Sequence, residues 1–331
     1  MPDSFLLPLP VDGPYDLSGS LAVIRDSPSY LLEDLSSPGL YRRVLAAGGR
    51  CAEVTVRQDP VRTGSLLAEI LFPEAPLGSL PDRVPEPGED PDSAARIFLP
   101  LLRRIFSLNF PAGDFHRILE ADPVLGKTMA SFRNIRPVGF GSVFEALVFA
   151  IMEQQVSAAS ARSLKRRFLE EFGTRVVRRD READRTKGAF LWRFPEPSDL
   201  SGADETAFRS LGLSRQKASS LYSLVAAIRS GDFDLPAFEA MAASENAEKM
   251  VERLMGLRGI GRWSAEYVLM RGICRPDLLC ASDLALRTIL ARHYGESAPL
   301  PADRVRKIAE RWRGFEGWIG HLWWFVGRNP P

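Results

Sequence analysis

Leu254 to Asp283 reads LMGLRGIGRWSAEYVLMRGICRPDLLCASD, and this stretch decides the fold. Met250, Leu254 and Leu257 carry the tail of a helical apolar stripe. Gly259-Ile260-Gly261 follows, and its two glycines are expected to supply the positive φ of a tight interhelical turn. Arg262 to Met270 then reads as a second helix with Ala265, Val268 and Leu269 on its buried face. Its N-terminus points free N–H groups past glycines that have no side chain to block them, a natural seat for phosphate. Gly259, Gly261, Arg262 and Ser264 are the candidate phosphate contacts. Such contacts position a protein on nucleic acid without reading base sequence. Asp283 opens a further apolar run, either as a helix cap or as a fixed carboxylate with chemical work to do.

Composition narrows the setting. The chain has 331 residues, 45% of them hydrophobic and 26% charged, which suits two or three globular domains. A net charge of +1 does not announce a nucleic-acid partner, so any basic footprint is local. One basic run exists, from Arg162 through Lys165, Arg166, Arg167, Arg175, Arg178, Arg179, Arg181 and Arg185 to Lys187, but acidic residues interrupt it. Three cysteines, Cys51, Cys274 and Cys280, are too few for a disulfide framework or a four-cysteine iron–sulfur cluster. His116, His293 and His321 have no metal-ligand spacing with them. No secretory signal or membrane span is legible, so a cytoplasmic protein is expected.

Along the chain, residues 1–12 read as a loose tail and 15–75 as α+β. Ser18–Ile24, Cys51–Arg57 and Leu66–Phe72 read as strands, and Gly39–Ala47 as a strand or short helix. Residues 73–92, rich in Pro, Gly and Asp, read as a loop. Helices are expected over 94–106, 114–120, 124–132, 142–154, 157–172, 204–210, 214–230, 236–240, 245–257, 262–272, 284–293, 301–313 and 316–326. The stretch 173–201 has no clear period and reads as a long loop, with a short hairpin around Arg175–Arg179 and Ala189–Arg193.

Beyond the hairpin, several segments carry a family likeness: Pro14-Tyr15-Asp16, Leu102–Phe106, Phe144–Ser157 (FEALVFAIMEQQVS), Phe194–Pro197, Leu211–Ala218 and His321-Leu-Trp-Trp324. With Gly259–Ala265 and Asp283, the chain resembles the AlkA-type enzymes, the bacterial 3-methyladenine-DNA glycosylase II family of the helix-hairpin-helix (HhH-GPD) superfamily. The resemblance implies a mostly α, α+β fold: an N-terminal antiparallel sheet domain, similar to a TATA-binding-protein repeat, over 1–110. An outer helical subdomain from 111–136 plus 275–331 and a second helical subdomain over 137–274, with the hairpin at 250–272, would follow.

The resemblance also implies roles. Asp283 becomes the catalytic carboxylate, stabilising an oxocarbenium-like sugar and orienting or deprotonating water. Trp263, Tyr267, Trp323 and Trp324 match base-pocket positions, where aromatic faces favour a cationic alkylated purine. Gln155 matches the wedge that fills the gap left by a flipped base, and Gln154 a neighbouring contact. Bifunctional relatives carry a Schiff-base lysine where this chain has Trp263, which implies a monofunctional enzyme; the lysines nearest in sequence, Lys217 and Lys249, lie outside the motif. Ser282 departs from relatives with a second carboxylate beside the catalytic one. A monovalent cation, Na+ or K+, on main-chain oxygens of Met255, Leu257 and Gly259 is implied, with no required cofactor and no cluster. The expected partner is double-stranded damaged DNA, met by a monomer. The competing readings are a glycosylase for oxidised, deaminated or mismatched bases, a non-catalytic protein using the hairpin as a phosphate clamp, and an all-α protein with no DNA role.

Overall fold

The computed structural model describes residues 4–25, 31–62, 64–72, 95–177, 190–242 and 244–328. A four-stranded antiparallel sheet occupies the N-terminal part, in the order β1-β4-β3-β2. Its strands are β1 (Phe5–Leu9), β2 (Leu40–Ala47), β3 (Arg50–Gln58) and β4 (Leu66–Leu71). Ala47 pairs with Arg50 across a two-residue turn of Gly48 and Gly49, both at positive φ, the backbone that a tight hairpin requires. In β4, Leu66, Ala68 and Ile70 face the core and the alternate residues do not, the period-two pattern of a half-buried strand.

Two expectations fail in this region. Residues 1–12 are not all tail, because Phe5–Leu9 forms an edge strand whose Leu7 pairs with Ala68. Its partner lies some sixty positions away in the chain, and Pro8 is tolerated because an edge strand leaves one side unpaired. Ser18–Ile24 is helical, within α1 (Leu17–Arg25). Leu17, Leu21 and Ile24 recur at helical spacing and are buried. Asp16 starts the turn, its side chain accepting from the Gly19 N–H and its carbonyl from Ser20. Gly39–Ala47 resolves to strand, and the other two strands stand within a residue of expectation.

The helices follow the apolar period. They are α2 (Leu99–Ile105), α3 (Ala112–Ala121), α4 (Pro123–Met129), α5 (Val143–Glu153), α6 (Ala158–Phe172), α7 (Glu205–Ser210), α8 (Arg215–Ser230), α9 (Leu235–Ala242), α10 (Ala247–Met255), α11 (Arg262–Gly272), α12 (Leu284–Tyr294), α13 (Ala302–Ala309) and α14 (Glu316–Arg328). Caps sharpen their starts: Ser142, Ser157, Asp204, Ser214 and Asn246 each accept a backbone N–H from the first turn. Between α6 and α7, β5 (Thr174–Val177) pairs with β6 (Phe190–Arg193), as the hairpin within 173–201 suggested. The expected loop at 73–92, the helix start at 94 and Arg178, Arg179, Arg181, Arg185 and Lys187 of the basic run lie outside the described residues. Within that run Lys165 is no surface cation: it is buried against the Phe149 ring and paired with Glu153.

Two cores organise the molecule. One joins the sheet to α5, α8, α10 and α11. The other gathers α3, α4 and α12–α14 around Phe115, Trp312, Trp318 and Trp323. No helix among the described residues is long and apolar enough to cross a membrane.

Candidate active site

The hairpin forms where the sequence places it, with one change. Gly259 has φ +81°, and a Cβ there would collide with the Ser220 side chain, so glycine is required twice over. Gly261, expected to share the positive φ, is extended at φ −90°, ψ 176°, and a Cβ on it would meet nothing. It is the N-cap of α11 and supplies no side-chain cap, so the first N–H groups of that helix have no capping side chain among the described residues. Of the predicted phosphate contacts, the Ser264 side chain is buried, and its Oγ accepts from Gln154 Nε2 at 2.9 Å. Arg262 is half-exposed but already engaged, its guanidinium donating to both carboxylate oxygens of Glu248 at 2.6 Å and approaching Glu266 at 3.2 Å.

Gln154 also donates to the Gly259 carbonyl at 2.9 Å. The turn after α5 is thereby tied to the hairpin. The next residue, Gln155, is exposed and held at φ +51°, a conformation that costs a non-glycine residue about 1–3 kcal/mol.

Asp283 stands at the start of α12. Its N–H donates to the Cys280 carbonyl at 3.0 Å, which closes the turn leading to it. Oδ1 accepts from the Leu286 N–H at 2.9 Å and from the Trp324 indole at 3.0 Å. Oδ2 accepts from the Trp263 indole at 3.2 Å. The carboxylate thus caps its helix and is clamped by two indoles from different helices. A carboxylate has about four acceptor positions; among the described residues three are taken, two on Oδ1 and one on Oδ2.

Trp263 lies stacked on Tyr267, ring centroids 5.2 Å apart and planes 14° from parallel. Trp263 and Trp324 are half-buried and Tyr267 nearly covered. The structure therefore brings Asp283, Trp263, Tyr267 and Trp324 together. It does not bring Trp323. That residue is fully buried in the second core against His293, 4.6 Å between centroids, and its indole N–H finds no acceptor among the described residues. Consecutive residues on a helix point about 100° apart, so only one of the two tryptophans can face Asp283.

Sequence reasoning missed Arg271 and His321, which lie buried in mutual contact behind these aromatics. The signal was present: Arg271 continues the four-residue spacing of Trp263 and Tyr267, and His321 precedes Trp324 by three. It also missed Glu266, buried between Arg262 and Arg306, whose carboxyl burial pushes above the usual range against the pull of both cations. A groove of about 1100 Å³ opens elsewhere, between α2, the β2–β3 turn and α9. Neither Asp283 nor its aromatic partners line it, and Glu196 on its wall is pushed up by burial to about 7.

The family model for the HhH-GPD superfamily of base excision DNA repair proteins matches residues 148–314, and the chain belongs to that superfamily. It is 25% identical over 221 residues to the DNA-3-methyladenine glycosylase of Bacillus subtilis, 67% of this chain and 69% of that one. It is 30% identical over 207 residues to DNA-3-methyladenine glycosylase 2 of Escherichia coli, 62% of this chain and 66% of that one. The solved 3-methyladenine DNA-glycosylase from Archaeoglobus fulgidus shares the fold, with TM-score 0.74 at 22% identity, covering 98% of this chain and 99% of that one.

Proposed function

We propose that this protein is a monofunctional DNA glycosylase that flips alkylated purines, of the 3-methyladenine and 7-methylguanine type, out of double-stranded DNA and hydrolyses their N-glycosidic bond. The observation that carries this reading is the Asp283 carboxylate, clamped by the Trp263 and Trp324 indoles beside the stacked Trp263–Tyr267 pair. A carboxylate so held cannot swing away as positive charge builds on the sugar, and the second acceptor position of Oδ2 suits a water proton. Aromatic faces add about 0.5–2 kcal/mol each for a cationic base. Such a base leaves readily, so no dedicated acid is needed.

The N-terminus of α11 would take a phosphate, and Gln155, projecting beside exposed Val156, would fill the vacated stack. Gln154 belongs to this reading as the tie between the two. The position of Trp263 offers no amine, which supports hydrolysis over lyase chemistry. At the hairpin, Leu257 O accepts from the Ile260 N–H and Gly259 O from Gln154, and each carbonyl keeps a second lone pair. These neutral oxygens, with Met255 O, fit a weakly charged Na+ or K+ that would brace the turn, and no chemical step depends on it.

The test is release of free methylated purine from alkylated duplex DNA, followed by borohydride treatment. Base release without a trapped enzyme–DNA adduct is expected. A trapped adduct would refute the monofunctional assignment, and intact binding with no release would refute the reaction.

A further inference from the structure

Two helices supply the aromatic walls around Asp283, and each carries a regular row. On α11 the row is Trp263, Tyr267 and Arg271, four residues apart; on α14 it is Trp318, His321 and Trp324, three apart. Both spacings keep side chains on one helical face. The rows meet at two places. At one end both indoles, Trp263 and Trp324, donate to the Asp283 carboxylate. At the other, Arg271 Nη1 lies 2.7 Å from the ring nitrogens of His321. Both Arg271 and His321 are 4% exposed, so this second contact is made away from water.

We infer that Arg271 and His321 are a positioning pair that sets how α11 and α14 face each other and so holds the Trp324 indole on Asp283. This rests on the glycosylase reading of the site. The guanidinium also lies over the Phe140 ring, 5.3 Å from its centroid, which fixes it from the side of the first core. Nη1 is equally near both ring nitrogens, so the guanidinium is set against the imidazole as a whole. Two tryptophans hold the His321 ring on its other sides. It stacks on Trp318 at 5.5 Å and 22°, and meets Trp324 edge-to-face at 5.9 Å and 82°. Turning the His321 ring moves the surface on which Trp324 rests. The Trp324 N–H then leaves Oδ1, and the carboxylate loses one of its two indole clamps. Trp263 reaches Oδ2 from the other helix.

The test is the indole N–H signals of Trp263 and Trp324 in the whole protein, assigned through the Trp→Phe variants, together with single-turnover base release. In Arg271→Met the Trp324 signal should shift and its hydrogen exchange rise at least tenfold, with Trp263 changed by less than twofold. Base release should fall at least tenfold, with affinity for duplex carrying a stable abasic analogue held within threefold. If Arg271→Met does not fold, His321→Gln, which keeps an acceptor for the guanidinium but removes the ring, should give the same Trp324 response. An unmoved Trp324 signal, or equal changes at both indoles, overturns the pairing. The indole readout does not require turnover. A wild type without base release would sink the glycosylase reading and still leave the pairing to be judged.

Discussion

Asp283→Asn isolates the charge of the carboxylate from its role as a cap. The amide oxygen can take the place of Oδ1 and keep the Leu286 N–H and the Trp324 indole. The amide nitrogen then occupies the place of Oδ2 and faces the Trp263 indole donor at 3.2 Å. One hydrogen bond is lost and two donors oppose each other, which costs about 1–3 kcal/mol of stability. The effect on chemistry is larger. A full positive charge on the sugar about 4 Å from the carboxylate, at an effective dielectric near 20, is stabilised by about 4 kcal/mol. Removing it should slow base release by roughly 10³-fold. The assay is single-turnover release of methylated purine at saturating enzyme, with affinity for an abasic-analogue duplex and thermal unfolding measured alongside. A variant that folds, binds and releases base within tenfold of the wild-type rate would refute the electrostatic argument.

Three further perturbations follow from the same geometry. Gly261→Asp puts a capping carboxylate into open space at the start of α11; it should stabilise the fold by about 0.5–1 kcal/mol in urea unfolding while weakening binding to all DNA alike, and unchanged affinity would exclude a phosphate there. Gln155→Gly relieves the positive φ and should stabilise the protein by about 1 kcal/mol yet slow base release, and an unaltered rate would remove Gln155 from the wedge role. Glu196 has its folded pKa raised by burial to about 7, so its neutral form is favoured in the fold. Its stabilising contribution is complete below the unfolded value near 4.5 and is lost as pH rises through about 7. Glu196→Gln should therefore raise stability relative to wild type at pH 8 more than at pH 5, by a margin on the order of 2 kcal/mol in chemical denaturation; a pH-independent difference would refute the shift.

The sequence determined the parts of this protein that are local. Helix period and capping residues set α5 to α14 to within a few residues, because each such helix is specified by neighbours three and four positions apart. The hairpin and Asp283 were legible for the same reason: a glycine turn, a helix start and a carboxylate at a helix N-cap are all short-range devices. The edge strand Phe5–Leu9 was not legible, since its hydrogen bonds run to a strand distant in the chain. Nor was α1, where a short apolar run fits either period until the surface that buries it is known.

Within the site, sequence set which residue types stand at which spacing, and tertiary structure decided which of them meet. Trp323 and Trp324 are adjacent and chemically identical, yet packing of α14 on α12 turns one into core and the other onto Asp283. Arg262 and Ser264 carry phosphate-like chemistry in sequence, but Glu248, Glu266 and Gln154, brought in by the fold, engage their side chains first. The Arg271–His321 contact joins two helices fifty positions apart in the chain. Side-chain direction and long-range pairing are fixed only when cores close, because a periodic pattern gives the face a residue occupies and not the partner that face will meet.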